Sequence, residues 1–148
     1  MHLYGGSLVK KSDEIYSRLI AKHKKSLGSF EVKFTRGSFL EWLRNQYEKQ
    51  QGKCYYCDTS QGDIGKIIDS GLLRSKRFKT RGRSLEIERL DAQGNEYSAA
   101  NCVLACYFCN NDKSDVVSSN DYIQFFAKPK RQYFQYLIEK LDNSKVES

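Results

Sequence analysis

Two pairs of cysteines have the spacing of metal-binding knuckles. Cys54 and Cys57 form one Cys-x-x-Cys pair, Cys106 and Cys109 form the other, and the 48 residues 58–105 lie between them. Two residues between cysteines allow both thiolates to reach one ion at about 2.3 Å in tetrahedral geometry. Two such pairs fill the coordination of a Zn²⁺ ion and leave no position for water. The sequence therefore predicts one structural zinc site per chain.

Two other interpretations of these cysteines remain open. A Cys-x-x-Cys pair is also typical of thioredoxin-like redox proteins, and buried cysteines can be ordinary core residues. The presence of two matching pairs favours metal binding over both. The fifth cysteine, Cys102, is expected to be a small buried hydrophobic residue in a strand.

The second pair ends a segment whose pattern predicts a strand, a turn, a second strand and a helix. Residues 85–88 alternate apolar and acidic side chains, which is the period of a half-buried strand. Residues 91–95 have the composition of a turn, and residues 103–104 predict a short second strand. Glu88 at the end of the first strand and Asn110 in the helix are thereby expected to meet.

This segment resembles the HNH, or ββα-metal, nucleases. The residues that carry the resemblance are Glu88-Arg89, Asn101, Cys106-x-x-Cys109-Asn110 and Lys113. The pattern is most similar to a branch of rare-cutting restriction enzymes that has Arg where most members have His. The resemblance covers residues 34–122. It implies an α+β fold, in which a small ββα-metal core is cross-linked by a four-cysteine zinc site and surrounded by helices.

The resemblance also implies an activity, the metal-dependent hydrolysis of DNA phosphodiester bonds at specific sequences. Glu88 and Asn110 match the family's ligands of a catalytic Mg²⁺ or Mn²⁺, and hard cations prefer such oxygen donors. Arg89 stands where most members have the histidine base. Because a guanidinium cannot readily accept a proton, its expected role is to grip the phosphate. Asn101 matches the family's loop asparagine, which steadies the turn.

The general base is left open by the sequence. In the branch with Arg at this position a tyrosine is the suspected base, but the matching residue here is Leu43, so that role does not carry over. Tyr47, one helical turn later, is a candidate. His23, Tyr97 and a metal-bound water acting alone are the others.

A strongly basic segment precedes the first strand of this motif. Residues 74–83 contain no acid and six basic side chains: Arg74, Lys76, Arg77, Lys79, Arg81 and Arg83. An isolated basic run is usually a solvated loop. Its position directly before the proposed active strand favours contact with the phosphates of double-stranded DNA, and the formal net charge of +7 suits the same partner.

The length of 148 residues predicts a single domain. We expect an N-terminal arm and helix in residues 1–28, a ββα-metal core at about 84–118, and C-terminal helices in 119–142 that are interrupted at Pro129. Only 39% of the residues are hydrophobic, so the small core is expected to need the zinc cross-link. Without a secretory signal or a membrane-spanning apolar run, a cytoplasmic location without membrane contact is expected.

Three hypotheses about function are compatible with these patterns. The first is an HNH endonuclease; because one chain has one active site, a double-strand break would need two copies, most simply a two-fold homodimer. A nicking monomer fits equally well. The second is a catalytically inactive, zinc-containing nucleic-acid-binding module, which the missing histidine at position 89 favours. The third is a redox protein whose cysteines cycle.

Overall fold

The computed structural model describes residues 8, 10–25, 31–94 and 96–147, and of residues 22–25 and 146–147 it describes only the backbone. The helices are α1 (Ser12–Lys25), α2 (Arg36–Lys49), α3 (Gln61–Ser70), α4 (Tyr107–Lys113), α5 (Ser119–Tyr122) and α6 (Lys128–Glu147). The strands are β1 (Glu31–Val32), β2 (Glu86–Arg89), β3 (Glu96–Tyr97) and β4 (Cys102–Ala105). The predicted α+β class is confirmed. Among the described helices, none combines the length and the apolar character that a membrane span requires.

The antiparallel pair β2–β4 lies at the centre of the motif. Glu86 pairs with Ala105 and Arg89 with Cys102, and all four residues of β4 are buried. Cys106 directly follows β4 and is the N-cap of α4. The predicted order of strand, turn, strand and helix is therefore confirmed. A cysteine connects the end of β4 to the start of α4.

The other edge of β4 is closed by an amide side chain instead of a third strand. The Leu104 N–H donates to Gln50 Oε1 at 3.0 Å, and the Leu104 carbonyl accepts from Gln50 Nε2 at 2.8 Å. The same carbonyl accepts from the Tyr55 N–H at 2.9 Å. These bonds satisfy the strand edge. They also tie the end of α2 and the first cysteine pair to β4.

Helix α2 provides most of the aromatic core beside this unit. It begins with a capping box, in which Thr35 and Ser38 each bond the other's backbone N–H. Phe39, Trp42 and Leu43 are buried on one face of this helix. Strand β1 is two residues long and pairs in parallel with β3.

Pro129 does not break the C-terminal helix, contrary to prediction. It is the second residue of α6, and a π-helical turn at Ile123–Ala127 joins α5 to α6, so the chain is helical from Ser119 to Glu147. Proline lacks an N–H and its ring crowds the carbonyl four residues earlier. That carbonyl belongs to Phe125, in the wider π turn, which accommodates both effects. The C-terminal helices expected in residues 119–142 extend to Glu147.

Candidate functional site

The two cysteine pairs converge on one point between β4 and α4. The sulfur atoms of Cys54, Cys57, Cys106 and Cys109 all lie within 4.8 Å of one another, and all four residues are buried. The Cys57 and Cys106 sulfurs are 3.8 Å apart. A tetrahedral ion with Zn–S bonds of about 2.3 Å separates its ligands by about 3.8 Å. The donor set and its spacing therefore fit one thiophilic metal ion such as Zn²⁺.

Backbone groups also point at these sulfurs. The Cys106 N–H donates to Cys54 Sγ at 3.2 Å, and the Cys109 N–H donates to Cys106 Sγ at 3.4 Å. Hydrogen bonds among the four thiols lower the pKa of Cys54 and Cys57, whereas the pKa values of Cys106 and Cys109 are raised. The fifth cysteine, Cys102, is buried in β4 as predicted, and burial raises its pKa to about 12. Cys102 is not a member of the four-cysteine group.

Helix α4 lies against the face of β2 that carries two acids. Glu86 and Glu88 share this face because alternate residues of a strand point the same way. Asn110 Nδ2 donates to Glu86 Oε1 at 2.9 Å. Lys113, one helical turn later, places its Nζ 3.6 Å from Glu88 Oε2. Each acid of β2 therefore has its own partner on α4, and Asn110 contacts Glu86, a pairing that the sequence analysis did not anticipate.

Glu88 and Lys113 form a buried ion pair. Glu88 is 3% exposed and Lys113 is 1% exposed. Burial raises the pKa of Glu88, while the Tyr56 hydroxyl and the Lys113 ammonium oppose this shift. Lys113 Nζ also donates to the Arg89 carbonyl at 3.3 Å. Oε2 of Glu88 makes no hydrogen bond within the described part of the chain. This oxygen therefore already faces one cation, the Lys113 ammonium at 3.6 Å, in surroundings that favour positive charge.

Replacing Lys113 by Met is expected to lower the free energy of unfolding by about 3–5 kcal/mol, because it leaves a buried carboxylate without its counter-charge. The double variant Lys113→Met/Glu88→Gln should recover most of this loss. In Lys113→Met alone, the pKa of Glu88 rises further, so stability is greatest below the pKa of the unfolded chain and falls as pH increases towards the folded value. Urea unfolding of the metal-loaded proteins at several pH values measures both effects. Equal stability of the single and double variants would contradict this account.

Tyr56 is a residue at this site that the sequence analysis missed. It lies inside the first Cys-x-x-Cys pair, and its hydroxyl is 3.1 Å from Ser119 Oγ, which in turn donates to the Leu90 carbonyl at 2.6 Å. Burial raises the pKa of Tyr56, so the hydroxyl keeps its proton and remains a donor at neutral pH. The sequence offers a signal for this position, because Tyr56 lies between two predicted metal ligands. Metal binding by both cysteine pairs brings Tyr56 close to the second pair.

Arg89 and Asn101 have well-defined positions beside this junction. The Arg89 guanidinium lies over the ring of Tyr97, 5.0 Å from its centroid. Asn101 Nδ2 donates to the carbonyls of Asp91 at 3.1 Å and Glu96 at 2.7 Å, and Asn101 Oδ1 accepts from the Asp91 N–H at 2.9 Å. The Asn101 side chain is thus engaged by the backbone of the turn, which agrees with the turn-steadying role.

The surroundings of the candidate general bases do not favour proton abstraction. Tyr47 packs against the turn at Gly52: its Oη is 2.8 Å from where a Cβ on Gly52 would stand, and the φ of +69° at this position itself favours glycine. No hydrogen bond of the described residues joins Tyr47 to Glu88 or Asn110. Burial raises the pKa of Tyr47 and of Tyr97, which disfavours either as a base at neutral pH. The side chain of His23 lies outside the described residues.

All six basic side chains of residues 74–83 are exposed, but the segment is anchored. It contains a 3₁₀ helix at Lys76–Lys79, and Phe78 packs edge-on against Tyr107 and Phe108. Arg77 Nη1 donates to the Tyr107 hydroxyl at 3.0 Å. The basic segment is therefore held against the first turn of α4, next to the acids of β2.

The fold is similar to a solved structure of PacI, a rare-cutting HNH restriction endonuclease that perturbs DNA. The TM-score is 0.65 and the sequence identity 24%, over 83% of this chain and 78% of that one. The sequence matches no family model and no curated protein. At this level of identity the likeness establishes the fold, and it confirms the resemblance to HNH nucleases in that respect.

Proposed function

We propose that this chain, which shares its fold with an HNH restriction endonuclease, is a metal-dependent endonuclease that hydrolyses phosphodiester bonds of DNA. The observation that carries the proposal is the contact between α4 and the acidic face of β2. Four clustered cysteines fix the start of α4, and an amide of the next turn, Asn110, then touches a carboxylate of β2. Amide and carboxylate oxygens are the donors that a hard divalent cation prefers.

Hydrolysis of a phosphodiester requires a deprotonated water, neutralisation of the phosphate charge and stabilisation of the leaving oxygen. A Mg²⁺ or Mn²⁺ ion at Glu88 and Asn110 would supply Lewis-acid stabilisation of the phosphate and the leaving oxygen. Oε2 of Glu88 and Oδ1 of Asn110 are the proposed ligand atoms. Oε2 makes no hydrogen bond within the described residues, and Lys113 Nζ lies 3.6 Å from it. Arg89, supported by the Tyr97 ring, would bind the phosphate.

The four-cysteine site has a structural role in this proposal. A Zn²⁺ ion there would be coordinatively saturated by thiolates, so it could not bind water or substrate. Its role would be to fix Cys109, and through it Asn110, against β2. The protein would then have two metal sites with different roles. The thiolate site would stabilise the fold, and the site with oxygen ligands would take part in the reaction.

The basic segment is the proposed contact with the backbone of double-stranded DNA. Its side chains are exposed and the 3₁₀ helix at Lys76–Lys79 holds them beside α4. A single chain would cut one strand at its one active site. Double-strand cleavage of the restriction or phage type would then require two chains, most simply a homodimer on a palindromic sequence.

One observation favours a second candidate, a catalytically inactive nucleic-acid-binding module. The carboxylate of Glu88 is already paired with Lys113, and Arg89 occupies the position of the histidine base. In that case the ion pair is purely structural, and the exposed basic segment alone would account for DNA binding.

Incubation with supercoiled plasmid separates the two candidates. A nuclease should convert the plasmid to nicked or linear forms when Mg²⁺ or Mn²⁺ is present and not when EDTA is added, and discrete fragments would indicate sequence specificity. A protein that retards DNA on a gel but leaves the plasmid intact with either cation would support the binding module and overturn the nuclease proposal.

A further inference from the structure

Arg81 forms an ion pair with Glu86, the acid that Asn110 contacts. Arg81 Nε lies 2.8 Å from Glu86 Oε2, and Arg81 Nη2 lies 2.8 Å from Glu86 Oε1. The ring of Tyr107, the first residue of α4, supports the guanidinium at 4.8 Å from the ring centroid. Both carboxylate oxygens of Glu86 are thus held by a cation that belongs to the basic segment.

Glu86 is placed to act together with Glu88 and Asn110. It precedes Glu88 by two residues on the same face of β2, a distance of about 7 Å along a strand, which two glutamate side chains can bridge to one ion. Oε2 of Glu88 is buried and makes no hydrogen bond to the described residues, and the Lys113 ammonium lies 3.6 Å from it. The Asn110 amide is in direct contact with Glu86. Glu86, Glu88 and Asn110 therefore bring oxygen-bearing side chains to the facing surfaces of β2 and α4.

We propose, on the premise of the nuclease function above, that Glu86 is a further ligand of the catalytic cation and that Arg81 competes with that cation for it. A guanidinium on both carboxylate oxygens excludes a divalent cation from the same atoms. A DNA phosphate offers the guanidinium an equivalent pair of acceptors. DNA that draws Arg81 away from Glu86 therefore opens the cation site.

The Arg81–Glu86 contact is suited to such an exchange. The Arg81 side chain is 47% exposed and the Glu86 side chain 18%. Ion pairs near the surface contribute little net stability, so the guanidinium can leave without unfolding any element. Because the exchange couples two binding events, DNA must raise the affinity for the cation by the same factor by which the cation raises the affinity for DNA. The bound Arg81 would keep the cation site closed until DNA is in place.

The test measures Mn²⁺ binding to the zinc-loaded protein by electron paramagnetic resonance, first without DNA. Arg81→Met is expected to tighten Mn²⁺ binding about tenfold, a typical coupling between two sites. Glu86→Gln should weaken it by at least a similar factor. Arg83→Met is the matched control: Arg83 lies in the same segment and loses the same charge, but it pairs with Asp69, at 2.7 Å.

A second measurement adds a duplex with phosphorothioate linkages that resist hydrolysis. This DNA should tighten Mn²⁺ binding to the wild type and have much less effect on Arg81→Met. Equal shifts in Arg81→Met and Arg83→Met would overturn the competition, and unchanged Mn²⁺ binding in Glu86→Gln would remove Glu86 from the site. Either outcome is independent of whether the wild type cleaves plasmid DNA, so the failure of this inference is distinguishable from the failure of the nuclease proposal.

Discussion

Removal of the ion from the four-cysteine site is expected to unfold the protein. The site joins the first cysteine pair to the end of β4 and the start of α4, so its loss separates three elements of the core. Structural Zn²⁺ contributes roughly 10–16 kcal/mol to folding of zinc-finger peptides. That exceeds or equals the net stability of about 5–15 kcal/mol of a typical domain. Cys109→Ser, or treatment with a strong chelator, should therefore abolish the near-ultraviolet circular dichroism spectrum and the cooperative thermal transition.

The matched control for this experiment is Cys102→Ala. Cys102 is also buried and lies in β4, but it is not a member of the four-cysteine group. Its loss should cost about 1 kcal/mol, the usual effect of a point mutation, and leave one zinc per chain by elemental analysis. Thiol titration should find the four clustered cysteines unreactive until a chelator is added, which would exclude the redox hypothesis. A cooperative, near-wild-type transition in Cys109→Ser would show that the site has no structural role.

The cysteine site could be predicted from the sequence because its constraint is local. Two residues between cysteines fix the approach of each pair to an ion, whatever the rest of the chain does. The same holds for β2 and β4, whose apolar period and intervening turn are short-range signals. The long connection through residues 58–105 did not prevent the two pairs from meeting, because Tyr55 and Gln50 bind the edge of β4 directly.

The partner of Asn110 could not be predicted in this way. Alternation along β2 places Glu86 and Glu88 on one face, so the sequence pattern alone does not say which of them meets which residue of α4. That choice depends on the angle and starting point of α4, which are set by Cys106 as its N-cap. The structure puts Asn110 against Glu86 and Lys113 against Glu88. The resemblance to the family identified Glu88 but not Glu86, the second acid on this face of β2.

Tertiary contacts also changed the interpretation of the basic segment and of Pro129. Composition alone predicts an exposed cationic run, and the exposure of its side chains agrees. The anchoring by Phe78 and the ion pair between Arg81 and Glu86 arise from packing against α4, for which the run itself has no signal. At Pro129 a general rule about helix interiors was overridden, because the preceding π turn absorbs the local clash.

Glu88→Gln and Asn110→Ala are each expected to reduce the rate of plasmid cleavage by about three orders of magnitude without weakening DNA binding. Lewis-acid stabilisation by a metal ion is worth several kcal/mol, and each 1.4 kcal/mol corresponds to a factor of about ten in rate. Glu88→Gln keeps the size of the buried side chain, but it leaves the Lys113 ammonium without its counter-charge, so this variant is also expected to be less stable. DNA binding measured by gel retardation in EDTA should be unchanged, since the exposed basic segment is intact in both variants.

Glu88 has two proposed roles, as a cation ligand and as the counter-charge of Lys113, and the double variant Glu88→Gln/Lys113→Met separates them. This variant removes both charges of the buried pair and should fold, because no uncompensated charge is left inside. If it folds, binds DNA and does not cleave, the lost activity belongs to the cation site and not to the ion pair. If it cleaves at the wild-type rate, Glu88 is structural. The acid that Asn110 contacts, Glu86, would then be the remaining carboxylate of β2 able to hold the cation.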